Sequence, residues 1–122
     1  MKRRVLLVDD EEDALDILSD IISRMGYEVH TAATGRLALE KAGQAKPDLM
    51  LLDLQMPDMN GFEVLKAIRE AGMDFPVVML TARREEQAVE AARALGVSTY
   101  LTKPVQFGEI KRVLASALGE AS

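Results

Sequence analysis

Four short stretches of this sequence carry groups able to handle a metal ion or an oxyanion: Asp9-Asp10, Asp53, Thr81 and Lys103-Pro104. Each follows or ends an apolar or β-forming run, namely Val5-Leu6-Leu7-Val8, Leu49-Met50-Leu51-Leu52, Val77-Val78-Met79-Leu80 and Ser98-Thr99-Tyr100-Leu101-Thr102. With those runs side by side, three carboxylates meet at one rim of low polarisability, where their repulsion is strong. A hard divalent cation such as Mg²⁺, held by oxygens and keeping several waters, offsets that repulsion, and Lys103 adds a fixed positive charge. An ionised aspartate is also a nucleophile toward phosphorus, in a transfer that depends mainly on positioning and on cations facing the phosphoryl oxygens. Asp53 ends the most buried run and is the expected nucleophile. Asp9 and Asp10 are expected to hold the metal, and Thr81 and Lys103 to meet phosphoryl oxygens.

The elements that must position these groups are legible as an alternation. The runs at 5–8, 49–52 and 77–80 are apolar without a polar face, as strands buried on both sides are. Tyr27-Glu28-Val29-His30-Thr31 alternates and Ser98–Thr102 is rich in β-formers, so both read as edge strands. Between them lie helical spacings: Ala14, Leu18, Ile21, Ile22 and Met25; Leu65 and Ile68; Ala88, Ala91, Ala92 and Leu95; Ile110, Val113, Leu114, Ala117 and Leu118. A weaker helix is expected over Arg36 to Ala45, opened by Thr34-Gly35, with Gly26, Gly72 and Gly96 where helices stop. Five βα units imply an α/β doubly wound, flavodoxin-like parallel sheet of five strands in the order 2-1-3-4-5. In that arrangement ligands bind beyond the carboxyl ends of the strands, at the switch point between the first and third. The 55–61 connection, with Pro57, Asp58, Asn60 and Gly61, is the one long turn after the central strand.

Composition narrows the class. The chain has 122 residues, 15 Lys+Arg against 20 Asp+Glu for a net charge of −5, and no Cys. One domain of roughly 100–200 residues accounts for this length, so residues 1–122 are expected to form a single unit. Without thiols there is no disulfide framework, Cys-ligated metal or Cys nucleophile, and a cytoplasmic location is expected. The basic start Met1-Lys2-Arg3-Arg4 is followed by only four apolar residues before Asp9, too few for a signal peptide. No apolar run approaches the ~18 residues of a membrane span, and an acidic balance opposes direct nucleic-acid binding.

Together, Val8-Asp9-Asp10, Leu52-Asp53 through Met56-Pro57-Asp58-Met59-Asn60-Gly61, Leu80-Thr81-Ala82 and Lys103-Pro104 resemble the receiver domain of two-component response regulators, over nearly the whole chain. The resemblance implies that Asp53 accepts a phosphoryl group from a sensor histidine kinase or histidine phosphotransfer protein. It further implies Mg²⁺ on Asp9, Asp10, Asp53 and the Gln55 backbone carbonyl, phosphoryl oxygens on Thr81 and Lys103, and a cis bond before Pro104. It also implies a switch in which Thr81 moves toward the phosphoryl group and Tyr100 turns inward. The face made by the fourth helix, fifth strand and fifth helix then changes for a downstream effector, in a monomer or a phosphorylation-dependent dimer. Val105 departs from an aromatic common after the proline, and Gln55 and Arg83 stand where the family tunes hydrolysis.

Plainer readings stand beside these. The run Asp9 to Asp13 suits the N-terminus of the first helix, Thr81 suits a helix cap, Tyr100 an edge aromatic and Lys103 a solvated edge. His30 has no assigned role, and the seven Met residues read as core filling. A haloacid-dehalogenase-like phosphatase needs a second Asp two residues after its nucleophile, where Gln55 stands, and a flavodoxin-like cofactor site needs a Gly-, Ser- and Thr-rich first loop. A P-loop enzyme needs G-x-x-x-x-G-K-S/T, which is missing. External turnover is therefore not expected. The remaining rival is a receiver fold that binds partners without phosphorylation.

Overall fold

The computed structural model describes residues 2–54, 56, 58–81, 93–94, 96–97, 99–102 and 105–119. Its strands are β1 (Arg4–Val8), β2 (Glu28–Ala32), β3 (Leu49–Asp53), β4 (Val77–Thr81) and β5 (Thr99–Thr102). Its helices are α1 (Glu12–Arg24), α2 (Gly35–Ala45), α3 (Gly61–Glu70) and a C-terminal helix, Phe107–Ala117. Of the helix expected around Ala88 to Leu95, Arg93 and Ala94 are described and helical, while Ala88, Ala91, Ala92 and Leu95 lie outside the described residues. All strand pairs are parallel and the sheet order is β2-β1-β3-β4-β5, with the two expected edge strands at its edges.

The absence of alternation in β1, β3 and β4 has a direct structural cause. Side chains alternate faces along a strand, and here both faces are covered. Leu6, Val8, Met50, Leu52, Val77 and Met79 enter the core built with α2 and α3, through Ala38, Ala42, Val64, Leu65 and Ile68. Val5, Leu7, Leu49, Leu51, Val78 and Leu80 enter the opposite core with Leu15 and Ile22 of α1 and Ile110, Leu114 and Leu118 from the C-terminal helix and its cap. Full burial of each such side chain stabilises the fold by about 1.5–3 kcal/mol. β2 is half-buried along most of its length, which is why its sequence alternates instead.

Helix ends follow local chemistry. Thr34 caps α2 by accepting a hydrogen bond from the Leu37 N–H, and Asn60 and Glu63 form a reciprocal capping box on α3. Gly26 takes φ +101 just after α1, a left-handed turn that a side chain disfavours. α2 ends differently, at Lys46 with φ 49, without a glycine. Among the described residues no helix is long and apolar enough to cross a membrane.

Candidate metal and phosphoryl site

β1 and β3 run side by side, with Val8 opposite Leu52. The residues that follow those partners are Asp9 and Asp53, so the register delivers two carboxylates to one point on the carboxyl rim. Their backbones are anchored there: the Asp9 N–H donates to the Ala32 carbonyl at 3.2 Å and the Leu54 N–H to the Leu80 carbonyl at 2.9 Å. Asp10 begins the turn into α1. Asp9, Asp10 and Asp53 each offer a carboxylate oxygen within 4.8 Å of the others, with Asp9 and Asp53 buried and Asp10 exposed.

This donor set fits Mg²⁺. The ion takes oxygens at about 2.1 Å in octahedral array, so two ligands on opposite sides stand about 4.2 Å apart. Oxygens already within 4.8 Å need little closing. One exposed carboxylate leaves an open side for the waters that Mg²⁺ retains.

The acidic run after β1 divides as two roles. Glu11 is the N-cap of α1 but makes no side-chain cap bond, while Asp9 Oδ1 accepts the Glu11 N–H at 3.1 Å. Glu12 and Asp13 occupy the first turn of α1, where negative charge interacts favourably with the helix dipole. Asp9 therefore both faces the cluster and shapes the turn that brings Asp10 to it.

The loop beyond Asp53 is held closely. The Gly61 N–H donates to the Leu54 carbonyl at 2.7 Å. A Cβ at Gly61 would stand 2.8 Å from the Asp53 carbonyl oxygen and 2.9 Å from the Leu54 Cα, so glycine is what lets α3 start against the backbone of the central acid. Further along, Asp58 Oδ1 accepts the Gly35 N–H at 3.0 Å and Oδ2 the Arg36 N–H at 3.1 Å. These bonds, first to Gly35 and then to Arg36, hold the Asp58 carboxyl below its ordinary value of 3.8. Sequence reading placed Asp58 in a turn and missed this partner, because nothing local pairs residue 58 with residue 35.

Of the other expected site residues, Thr81 ends β4 opposite Thr102, beside the Asp53–Leu80 pair, while its hydroxyl lies outside what the structure describes. Gln55, Arg83, Lys103 and Pro104 lie outside the described residues. Tyr100 sits on β5 opposite Met79, half-buried against the core of α2 and α3. His30 is remote from the acids along β2: its Nε2 lies 2.8 Å from Glu28, which also pairs with Arg4 at 3.0 Å. The His30 hydrogen bond is the main cause that lowers the Glu28 carboxyl from its ordinary 4.5, with Arg4 assisting.

Known proteins share this fold. The response regulator receiver domain family matches residues 5–115. The chain is 42% identical over 110 residues to the alkaline phosphatase synthesis transcriptional regulatory protein PhoP of Bacillus subtilis, covering 90% of this chain and 46% of PhoP. It thus spans less than half the length of that relative and of other long curated relatives. Among solved structures, chemotaxis protein CheY4 of Vibrio cholerae superposes with a TM-score of 0.92 at 35% identity, over 97% of this chain and 100% of CheY4. A chain of the CheX–CheY complex with BeF3 and Mg²⁺ from Borrelia burgdorferi superposes with a TM-score of 0.89 at 30% identity, over 93% of this chain and 87% of that one. With a family match that runs through both acid-bearing strand ends and solved relatives that superpose over nearly the whole chain, this chain belongs to the response regulator receiver domain family.

Proposed function

We infer that the chain is a phosphorylation-dependent switch of a two-component system, with Asp53 as the acceptor. The observation that carries this reading is the meeting of Asp9, Asp10 and Asp53 oxygens within 4.8 Å at the carboxyl rim. Asp9, Asp10, Asp53 and the Gln55 carbonyl hold Mg²⁺, which when bound neutralises the carboxylates and the incoming phosphoryl oxygens. The Borrelia CheX–CheY complex with BeF3 and Mg²⁺ supports that assignment by similarity.

An Asp53 carboxylate oxygen attacks phosphorus of a phosphohistidine on a sensor kinase or phosphotransfer protein. The new O–P bond forms as the P–N bond breaks, and the imidazole nitrogen leaves with the electron pair. The Thr81 hydroxyl donates to one phosphoryl oxygen and the Lys103 ammonium to another. Thr81 and Tyr100 then carry the change to the face around β5 and the C-terminal helix, where an effector binds. The reading places the chain in the cytoplasm as a signalling module with no external substrate, acting as a monomer or a phosphorylation-dependent dimer.

The test is intact-mass spectrometry after incubation with Mg²⁺ and a small acyl phosphate. One hydroxylamine-labile phosphoryl group is expected, mapped to Asp53 and missing from Asp53→Asn. If neither the donor nor a cognate kinase ever adds that mass, the fold serves as a phosphorylation-independent binding module.

A further inference from the structure

The first turn of α2 presents three backbone N–H groups with no partner inside the helix. Thr34 Oγ accepts the one from Leu37 at 3.1 Å. The other two, from Gly35 and Arg36, are both taken by Asp58, a residue of the loop that leaves Asp53. Two separate carboxylate oxygens on two successive amides fix the position and the rotation of the Asp58 side chain. Packing makes the same join independently: a Cβ on Gly35 would meet Met59 Cβ at 2.8 Å and Val64 Cγ2 at 3.0 Å, so loop and helix start touch directly.

The loop is therefore held at its outer limb by α2, while its two ends are held together by the Gly61 N–H to Leu54 carbonyl bond beside Asp53. We propose that Asp58 is a positioning residue for the acidic site, tying the chain between Asp58 and Gly61 to the first turn of α2 so that the rim around Asp53 is held in place before the ion arrives. This rests on the reading that the acids bind Mg²⁺. Its physical basis is entropic: ordering a loop residue costs roughly 1–2 kcal/mol, and a loop ordered in advance spares metal binding that cost. The amides of Gly35 and Arg36 become distant members of the site, although neither residue is a ligand.

The experiment compares wild type, Asp58→Ala and Asp58→Asn by Mg²⁺ titration followed at backbone amides by NMR, with core amides of Leu7 and Leu51 reporting the fold. Wild type is expected to show slow solvent exchange at Gly35 and Arg36 and a shift of both signals on Mg²⁺ addition. Asp58→Ala is expected to weaken Mg²⁺ binding about 3- to 10-fold, below the range typical of groups that directly orient metal ligands. Asp58→Asn keeps one acceptor and should fall between. Should the Ala variant lose its fold, the Asn variant and the wild-type shifts decide. Equal Mg²⁺ affinity in the folded variants, or unmoved Gly35 and Arg36 signals in wild type, overturns the proposal. Phosphorylation of Asp53 is scored separately: its presence with equal affinities refutes only the role of Asp58, and its absence with unequal affinities refutes only the phosphoryl-switch reading.

Discussion

Replacing Asp53 with Asn should make the metal-free protein more stable. The substitution keeps shape and volume, so it opens no cavity, and it removes one charge from a cluster of three. At 4.8 Å a pair of like charges repels by about 0.9 kcal/mol in water and by about 3.5 kcal/mol at an effective dielectric of 20. The Asp9–Asp53 pair is buried and lies toward the larger figure, whereas pairs with exposed Asp10 are screened toward the smaller. Allowing for hydrogen bonds lost by the carboxylate, a net gain of about 1–4 kcal/mol is expected. In a domain of this size that raises Tm by roughly 3–15 °C. The assay is urea unfolding of both proteins in chelator and again in excess Mg²⁺. Magnesium at 100 times its dissociation constant stabilises the wild type by about 2.7 kcal/mol and should narrow or reverse the gap. Asp10→Asn should give a smaller gain in chelator, since its charge faces solvent. An Asp53→Asn protein less stable than wild type in chelator, or a gap that ignores magnesium, would mean that the three acids do not repel as their geometry requires.

Two further perturbations probe the framework. Gly61→Ala places a methyl 2.8 Å from the Asp53 carbonyl oxygen; the backbone must yield, with a loss of about 1–3 kcal/mol in unfolding free energy and slower phosphorylation at Asp53. Wild-type stability and rate in that variant would contradict the close packing of α3 on the acid. Glu28, lowered mainly by its hydrogen bond with His30 and then by Arg4, contributes stability that is fully present above its unfolded value near 4.5. That contribution disappears as pH falls through the lower folded value. The stability difference between wild type and Glu28→Gln should accordingly shrink as pH falls below about 4.5 and vanish in stronger acid; a difference that persists unchanged to about pH 2 would remove Glu28 from the acid response.

Much of the fold was readable because a parallel sheet covered on both faces forces uninterrupted apolar runs, and those runs at 5–8, 49–52 and 77–80 correspond to β1, β3 and β4. The edge positions of β2 and β5 were readable for the complementary reason, since edge strands keep polar residues. The acids were legible as strand-end residues, which is where a doubly wound sheet builds its sites. The left-handed end of α2 at Lys46 carried no glycine to announce it.

The chain's order of residue types determined which groups reach the carboxyl rim, because strand periodicity and burial are local consequences of sequence. Tertiary structure set how closely the Asp9, Asp10 and Asp53 oxygens approach, and it alone decided that Glu28 rather than an acid of the rim engages His30 and that Asp58 serves the first turn of α2. Asp58 and its partners are 23 and 22 residues apart, and a hydrogen bond at that separation depends on how two loops are brought together by packing, for which no local preference of Asp, Gly or Arg provides a signal.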